Sequence, residues 1–124
     1  MIKIYYRPGV TSCQRAISWC EKYGLDVQLE RINKITRADL MNLLLNSNEG
    51  ILDIIKRSGK SSSSVNKAIN YMMNLSLAEA IDFILSHTDI LQAPIIIENS
   101  NHLIGFNEDE IRVFLPKQYR RHNL

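Results

Sequence analysis

The strongest constraint on the fold is the first quarter of the chain, residues 1–31, which reads as strand, helix, strand. Met1-Ile2-Lys3-Ile4-Tyr5-Tyr6 places Ile2, Ile4 and Tyr6 on one face at the two-residue period of a strand. Arg7-Pro8-Gly9 breaks that run, and Thr11-x-x-Gln14 has the form of a capping box. Val10, Cys13, Ala16, Ile17 and Cys20 then recur at helical spacing, and Gly24 stands where a helix C-terminus favours glycine. A second strand follows over roughly Asp26 to Arg31, with Val27 and Leu29 in phase. Two strands joined through a helix of this length pair in parallel, by a right-handed crossover.

The middle of the chain is helical. Thr36-x-x-Asp39 opens a helix bearing Leu40, Leu43 and Leu44, which ends in the polar stretch Asn46 to Gly50. A short apolar turn, Ile51 to Ile55, leads to Ser58-Gly59. The serines 61–64 supply an N-cap for a helix with Val65, Ala68, Ile69 and Met72. Ser76-x-x-Glu79 caps another, whose Leu77, Ala80, Ile81, Ile84 and Leu85 form a core-facing stripe with methionines filling gaps beside it. The last third returns to sheet. Pro94 precedes the strand Ile95-Ile96-Ile97, turn residues 98–101 follow, and His102 to Gly105 makes the hairpin partner. Asn107-x-x-Glu110 caps a final helix with Ile111 and Phe114, stopped by Pro116.

The expected architecture is α/β: a thioredoxin-like mixed sheet, β-α-β then β-β-α, interrupted by a helical insertion. One domain, residues 1–124, is expected, with the sheet part at about 1–33 and 91–124 and the insertion at about 34–90. At this length a folded chain buries about two-thirds of its extended surface, and an apolar content of 45% supplies one core without a disulfide or metal staple. No apolar run approaches the roughly 20 residues of a membrane span, and Arg7 and Pro8 interrupt any signal-like start. A cytoplasmic protein is expected. A net charge of +2, from 15 basic and 13 acidic residues, is too balanced for nucleic-acid binding by phosphate neutralisation alone. The local basic excess is the tail, Lys117, Arg120 and Arg121, a solvated end or a contact for an acidic partner.

Few residues offer chemistry. If Cys13 and Cys20 share a helix, seven residues of rise separate them by roughly 10 Å, beyond the about 7 Å that a disulfide spans. Cys13 falls in the first helical turn, where free N–H groups and the dipole favour a thiolate, with Arg7 and Arg15 as sources of positive potential. The same position equally suits a small buried hydrophobe, and Cys20, in mid-helix, reads as core. His87, His102 and His122 are scattered, so no metal is expected, and with no glycine-rich phosphate loop no cofactor is expected either. Gly50 reads in two ways, as a turn glycine or as a gap through which a partner approaches the backbone. Asn46, Asn48, Glu49, Asp53, Lys56 and Arg57 form a polar rim around it, beside Ile51 and Leu52.

Four stretches together resemble the Spx family, regulators within the arsenate-reductase-like (ArsC-like) group. They are Tyr5-Tyr6-Arg7-Pro8-Gly9-Val10-Thr11-Ser12-Cys13-Gln14-Arg15-Ala16, Glu49-Gly50-Ile51-Leu52-Asp53-Ile54-Ile55, Ala93-Pro94-Ile95-Ile96-Ile97 and Gly105-Phe106-Asn107-Glu108-Asp109-Glu110-Ile111-Arg112-Val113-Phe114-Leu115-Pro116. The resemblance implies a thioredoxin-like domain with a helical insertion. It also implies a protein that is not an enzyme but binds the C-terminal domain of the RNA polymerase α subunit under stress, touching DNA only within the polymerase complex. It puts the partner contact at Gly50, the redox or modifiable thiol at Cys13 and a thioredoxin-type cis-proline at Pro94. Val10 replaces the first cysteine of the family's Cys-x-x-Cys loop, so the internal redox switch is missing. Ala93 and Ser58 stand where arginines are expected, with Arg57 one place earlier, which removes guanidinium donors that an arsenate site needs. The alternative is an ArsC-like, glutathione-dependent thiol reductase with Cys13 as its catalytic nucleophile.

Overall fold

Alternation of Ile2, Ile4 and Tyr6 with other side chains produces the strand β1, Ile2–Tyr6, in the computed structural model, which describes residues 1–57, 59 and 61–116. Ser58, the basic residues Lys117, Arg120 and Arg121, and His122 lie outside the described residues. The chain gathers into two compact units, one of Met1–Arg31 with the chain from Ala93 onward, the other of Ile32–Gln92.

In the first unit β1 leads into α1 (Thr11–Lys22) and then β2 (Val27–Arg31), and β3 (Ile95–Glu98) and β4 (Asn101–Ile104) close the sheet. The four strands run in the order β2-β1-β3-β4. As expected, β1 and β2 are parallel, while β3 joins β1 and β4 in antiparallel pairs. Register places Leu29, Ile4, Ile96 and Leu103 side by side on one face. On that face Ile2, Ile4, Ile96 and Leu103 pack with Ala16 and Cys20 of α1 and with Ile111 and Phe114. Leu29 is in phase but 47% exposed, because β2 is an edge strand with no neighbour beyond it.

Helix α1 ends as its glycine requires. Gly24 has φ +65°, and the amides of Gly24 and Leu25 return to the carbonyls of Glu21 and Cys20, a Schellman closure. Its start differs from the sequence reading: Val10 is the N-cap, with no side-chain bond, and Thr11 is already helical. The Val10 carbonyl takes the Cys13 and Gln14 amides, which begins the helix one residue before the threonine could cap it. The expected last helix is a 3-10 segment, Glu110–Phe114, whose start is held by Asn107 Oδ1 accepting from the Asp109 and Glu110 amides. The segment is short, five residues, and stops before Pro116, as short 3-10 pieces commonly do in place of a full α-helix.

The second unit holds α2 (Arg37–Leu45), α3 (Ser63–Met72) and α4 (Leu77–Ser86), with 3-10 turns at Gly50–Asp53 and Thr88–Ile90. All three caps read from the sequence are present. Thr36 Oγ1 accepts from the Asp39 amide, Ser62 Oγ from Val65, and Ser76 with Glu79 completes a reciprocal box. Leu40, Leu43, Ile69, Met72, Ile81, Ile84 and Leu91 are buried within this unit. Leu77 is not part of that core as expected: it is the first helical residue of α4 and 60% exposed. Of the methionines only Met72 is buried; Met1, Met41 and Met73 are exposed. An isolated bridge between Ile55 and Leu91, with Gln92 Nε2 donating to the Ile55 carbonyl at 2.8 Å, ties the middle of the unit to its end. Arg37 and Asp82 form an ion pair linking α2 to α4.

Candidate functional site

Two places carry the residues singled out above: Cys13 in the first unit and Gly50 in the second. The β1–α1 loop delivers Cys13 to the first turn of α1, where it is 2% exposed. Its sulfur accepts the Arg7 backbone N–H at 3.4 Å, and Ser12 Oγ donates to the Ala93 carbonyl at 3.3 Å. The Ala93–Pro94 peptide is cis. Desolvation by burial pushes the Cys13 thiol above its ordinary value, outweighing the Arg7 amide and the Arg7 charge, both of which favour the thiolate. Of the two arginines expected to bear on the sulfur, only Arg7 does so. The Arg15 guanidinium lies 3.7 Å from Glu108 and 5.0 Å from the Phe106 ring centre. Cys20 is core, and burial pushes its thiol up to about 11. Both cysteines are free thiols.

These environments set a reactivity order. Cys13 alkylation is expected to be slow at pH 7 and to keep climbing beyond pH 8.5, the ordinary thiol value being about 8.5. Cys20 is expected to lag behind it until the pH nears 11. Mass spectrometry of alkylation time courses at successive pH values measures both, and a Cys13 rate that levels off below pH 8 contradicts the buried, neutral thiol.

Gly50 opens the 3-10 turn Gly50–Asp53 after α2 has ended at Asn46. Asp53 Oδ2 accepts from the Asn48 and Glu49 amides, each at 3.0 Å, and so holds the preceding loop. Gly50 has φ +63°, a left-handed conformation that side chains disfavour. A Cβ built there would meet nothing within 4 Å. Glycine is therefore required by the backbone angle and not by crowding, and the main chain at this point faces open space. Asn46, Asn48, Glu49 and Arg57 around it are exposed.

The structure adds a feature that the sequence reading did not identify. Leu52, Met73 and Leu77 stand exposed in the same unit as Gly50. The available signal was the place of Leu77 at the first helical position, directly after its cap, where one side of the residue has no preceding turn to cover it. Among the described residues no group of histidines, cysteines and carboxylates is placed to hold a metal, and no helix is long and apolar enough to cross a membrane.

Residues 5–114 match the ArsC family. The chain is similar to the global transcriptional regulator Spx of Streptococcus pyogenes serotype M3, at 34% identity over 126 residues, covering 100% of this chain and 92% of the relative. It is similar to Spx of Streptococcus pneumoniae R6 at 35% identity, with the same coverage. Among solved structures, a Staphylococcus aureus protein determined by solution NMR aligns with a TM-score of 0.76 and 20% identity, covering 94% of this chain and 100% of the other. An arsenate reductase from Vibrio cholerae aligns with a TM-score of 0.69 and 14% identity, covering 92% and 94%. At these identities the structural likeness establishes the fold, the thioredoxin-like α/β arrangement of the ArsC group.

Proposed function

The chain belongs to the ArsC family, and to the Spx regulators within it, and from that premise we propose that it acts in the cytoplasm by binding the C-terminal domain of the RNA polymerase α subunit. The unit Ile32–Gln92 is the helical insertion in this reading, and Gly50 is its partner contact. The observation that carries the reading is the bare main chain at Gly50, open to approach and held by the Asp53 cap. A partner backbone or flat side chain can approach there as closely as it could at no position carrying a Cβ. A contact of ordinary size would bury about 800 Å² on each partner.

The chemistry at Cys13 supports binding over turnover. Thiol-based oxyanion reduction needs a thiolate and fixed cationic donors, whereas this thiol is buried and held protonated at neutral pH. Ala93, whose carbonyl accepts from Ser12 Oγ, brings no charge to the first turn of α1. The thiol's place in the regulator is as a sensor, modified by a small oxidant or by glutathione when the loop opens, without an internal partner. The test is a pull-down of the purified protein with the isolated C-terminal domain of the α subunit, with and without oxidant. Retention in both conditions is expected. Failure to retain the α domain in either condition, together with arsenate turnover dependent on Cys13, sinks the regulator reading in favour of the reductase.

A further inference from the structure

Strand β2 is the outer strand of its sheet, so one edge of Val27–Arg31 presents backbone N–H and C=O groups that no strand among the described residues pairs. Proteins ordinarily blunt such an edge with a proline, a lysine or a bulge. Val27-Gln28-Leu29-Glu30-Arg31 has none of these, and its register against β1 is unbroken over all five residues. Leu29, at the middle, is 47% exposed. Beside it an apolar groove of about 150 Å³ is lined by Ile17, Cys20, Glu21, Leu25, Val27 and Leu29. An apolar side chain on an open edge, next to an unfilled apolar groove, suits the addition of another strand.

The charge pattern says which strand. An antiparallel pair related by a twofold axis sets one residue opposite its own copy. Three such registers keep three or more residues of β2 paired, and repulsion removes two of them. Centred on Glu30, two carboxylates stand directly opposite; centred on Gln28, Glu30 meets Asp26 of the second copy, again two carboxylates. Centred on Leu29, the strand complements itself: Leu29 meets Leu29, Gln28 meets Glu30, and Val27 meets Arg31. Gln28 and Glu30 already reach each other within one chain, Nε2 donating to Oε1 at 3.2 Å. The amide has a second N–H, and the carboxylate a second oxygen, for the same bond across the axis. On the face toward α1, Arg31 of one copy lies opposite Val27 of the other, and Val27 shares its groove with Glu21. Neither Glu21 nor Arg31 makes an ion pair within the chain among the described residues. Pairing brings them together twice, once at each end.

We propose that β2 is a self-association edge, along which a second copy of this chain pairs Val27–Arg31 antiparallel about Leu29 and covers the groove beside α1. The two four-stranded sheets then form one continuous sheet. This association is independent of the contact at Gly50. Two five-residue strands and two small grooves bury less than the roughly 1,200 Å² of stable complexes, so the dimer is weak and forms as protein concentration rises, with a dissociation constant on the order of 100 μM.

Sedimentation equilibrium of the full chain over a concentration series is expected to show a reversible equilibrium between monomer and dimer. Leu29→Lys is expected to weaken it by about ten-fold or more, because a lysine on an edge strand opposes pairing. Glu21→Arg and Arg31→Glu each set like charges together at both ends and are each expected to weaken association. The double variant E21R/R31E reverses both charges and is expected to recover most of it. All three positions are exposed, so thermal melts are expected to show folded proteins. Hydrogen exchange at the β2 amides is expected to slow with rising concentration in the wild type and not in Leu29→Lys. A chain that stays monomeric throughout, with exchange independent of concentration, overturns the proposal. So does a dimer that Leu29→Lys leaves at wild-type strength, or a double variant no better than its two parents.

Discussion

Gly50→Arg is expected to remove binding to the C-terminal domain of the polymerase α subunit, a loss of about 100-fold or more, equivalent to about 2.7 kcal/mol. Two effects act at this position and have to be separated. The arginine fills the open space over the turn and blocks the approach of a partner. It also takes up a left-handed conformation, φ +63°, that costs a branched or bulky residue on the order of 1 kcal/mol. Nothing lies within 4 Å of the place its Cβ takes, so the variant is expected to fold, with a melting temperature lower by a few degrees. Gly50→Asn separates the two effects, since asparagine tolerates the left-handed region. It is expected to keep wild-type stability and to lose less binding than the arginine variant. Calorimetry against the α domain, beside thermal melts, measures both quantities. A folded Gly50→Arg protein with wild-type affinity removes Gly50 from the interface.

The second large effect is a gain. Val10→Cys is expected to create an internal disulfide on mild oxidation, giving a monomer lighter by two hydrogens, where the wild type yields none. Val10 is the N-cap of α1 and Cys13 lies in its first turn. Three residues along a helix leave Cα atoms about 5 Å apart, within the 4.4–6.8 Å that disulfides usually span. Cys20, seven residues beyond Cys13 on the same helix, is out of reach without unwinding it. The introduced thiol has to draw the Cys13 sulfur away from the Arg7 amide, so the bond forms fastest at alkaline pH, where Cys13 ionises. Intact-mass measurement before and after alkylation decides the result. An oxidised Val10→Cys monomer that retains two alkylatable thiols at positions 10 and 13 shows that more than the missing cysteine disables the switch.

The elements that were legible in the sequence are those whose cause is local. Thr36, Ser62 and Ser76 cap their helices because each side-chain oxygen needs only an amide three residues on. Gly24 and the β3–β4 hairpin follow from local backbone preferences in the same way. Thr11 had the same pattern and did not cap, because the turn after β1 brings the Val10 carbonyl into the helix first. Periodicity put Leu29 in phase with its strand and Leu77 in phase with its helix. It could not report that one face ended at a sheet edge and the other at the lip of a groove.

By itself the sequence determined the order of strands and helices, the caps at Thr36, Ser62 and Ser76, the absence of a second cysteine within reach of Cys13, and the glycine at position 50. Tertiary structure decided the surroundings of each site. Cys13 is a buried thiol, held protonated at neutral pH, because packing excludes water from the first turn of α1. Gly50 is half-buried main chain, and the place of its missing side chain is open because nothing stands within 4 Å of where a Cβ would be. Both outcomes depend on solvent access, which is a property of the whole packed unit and is not encoded at any single position.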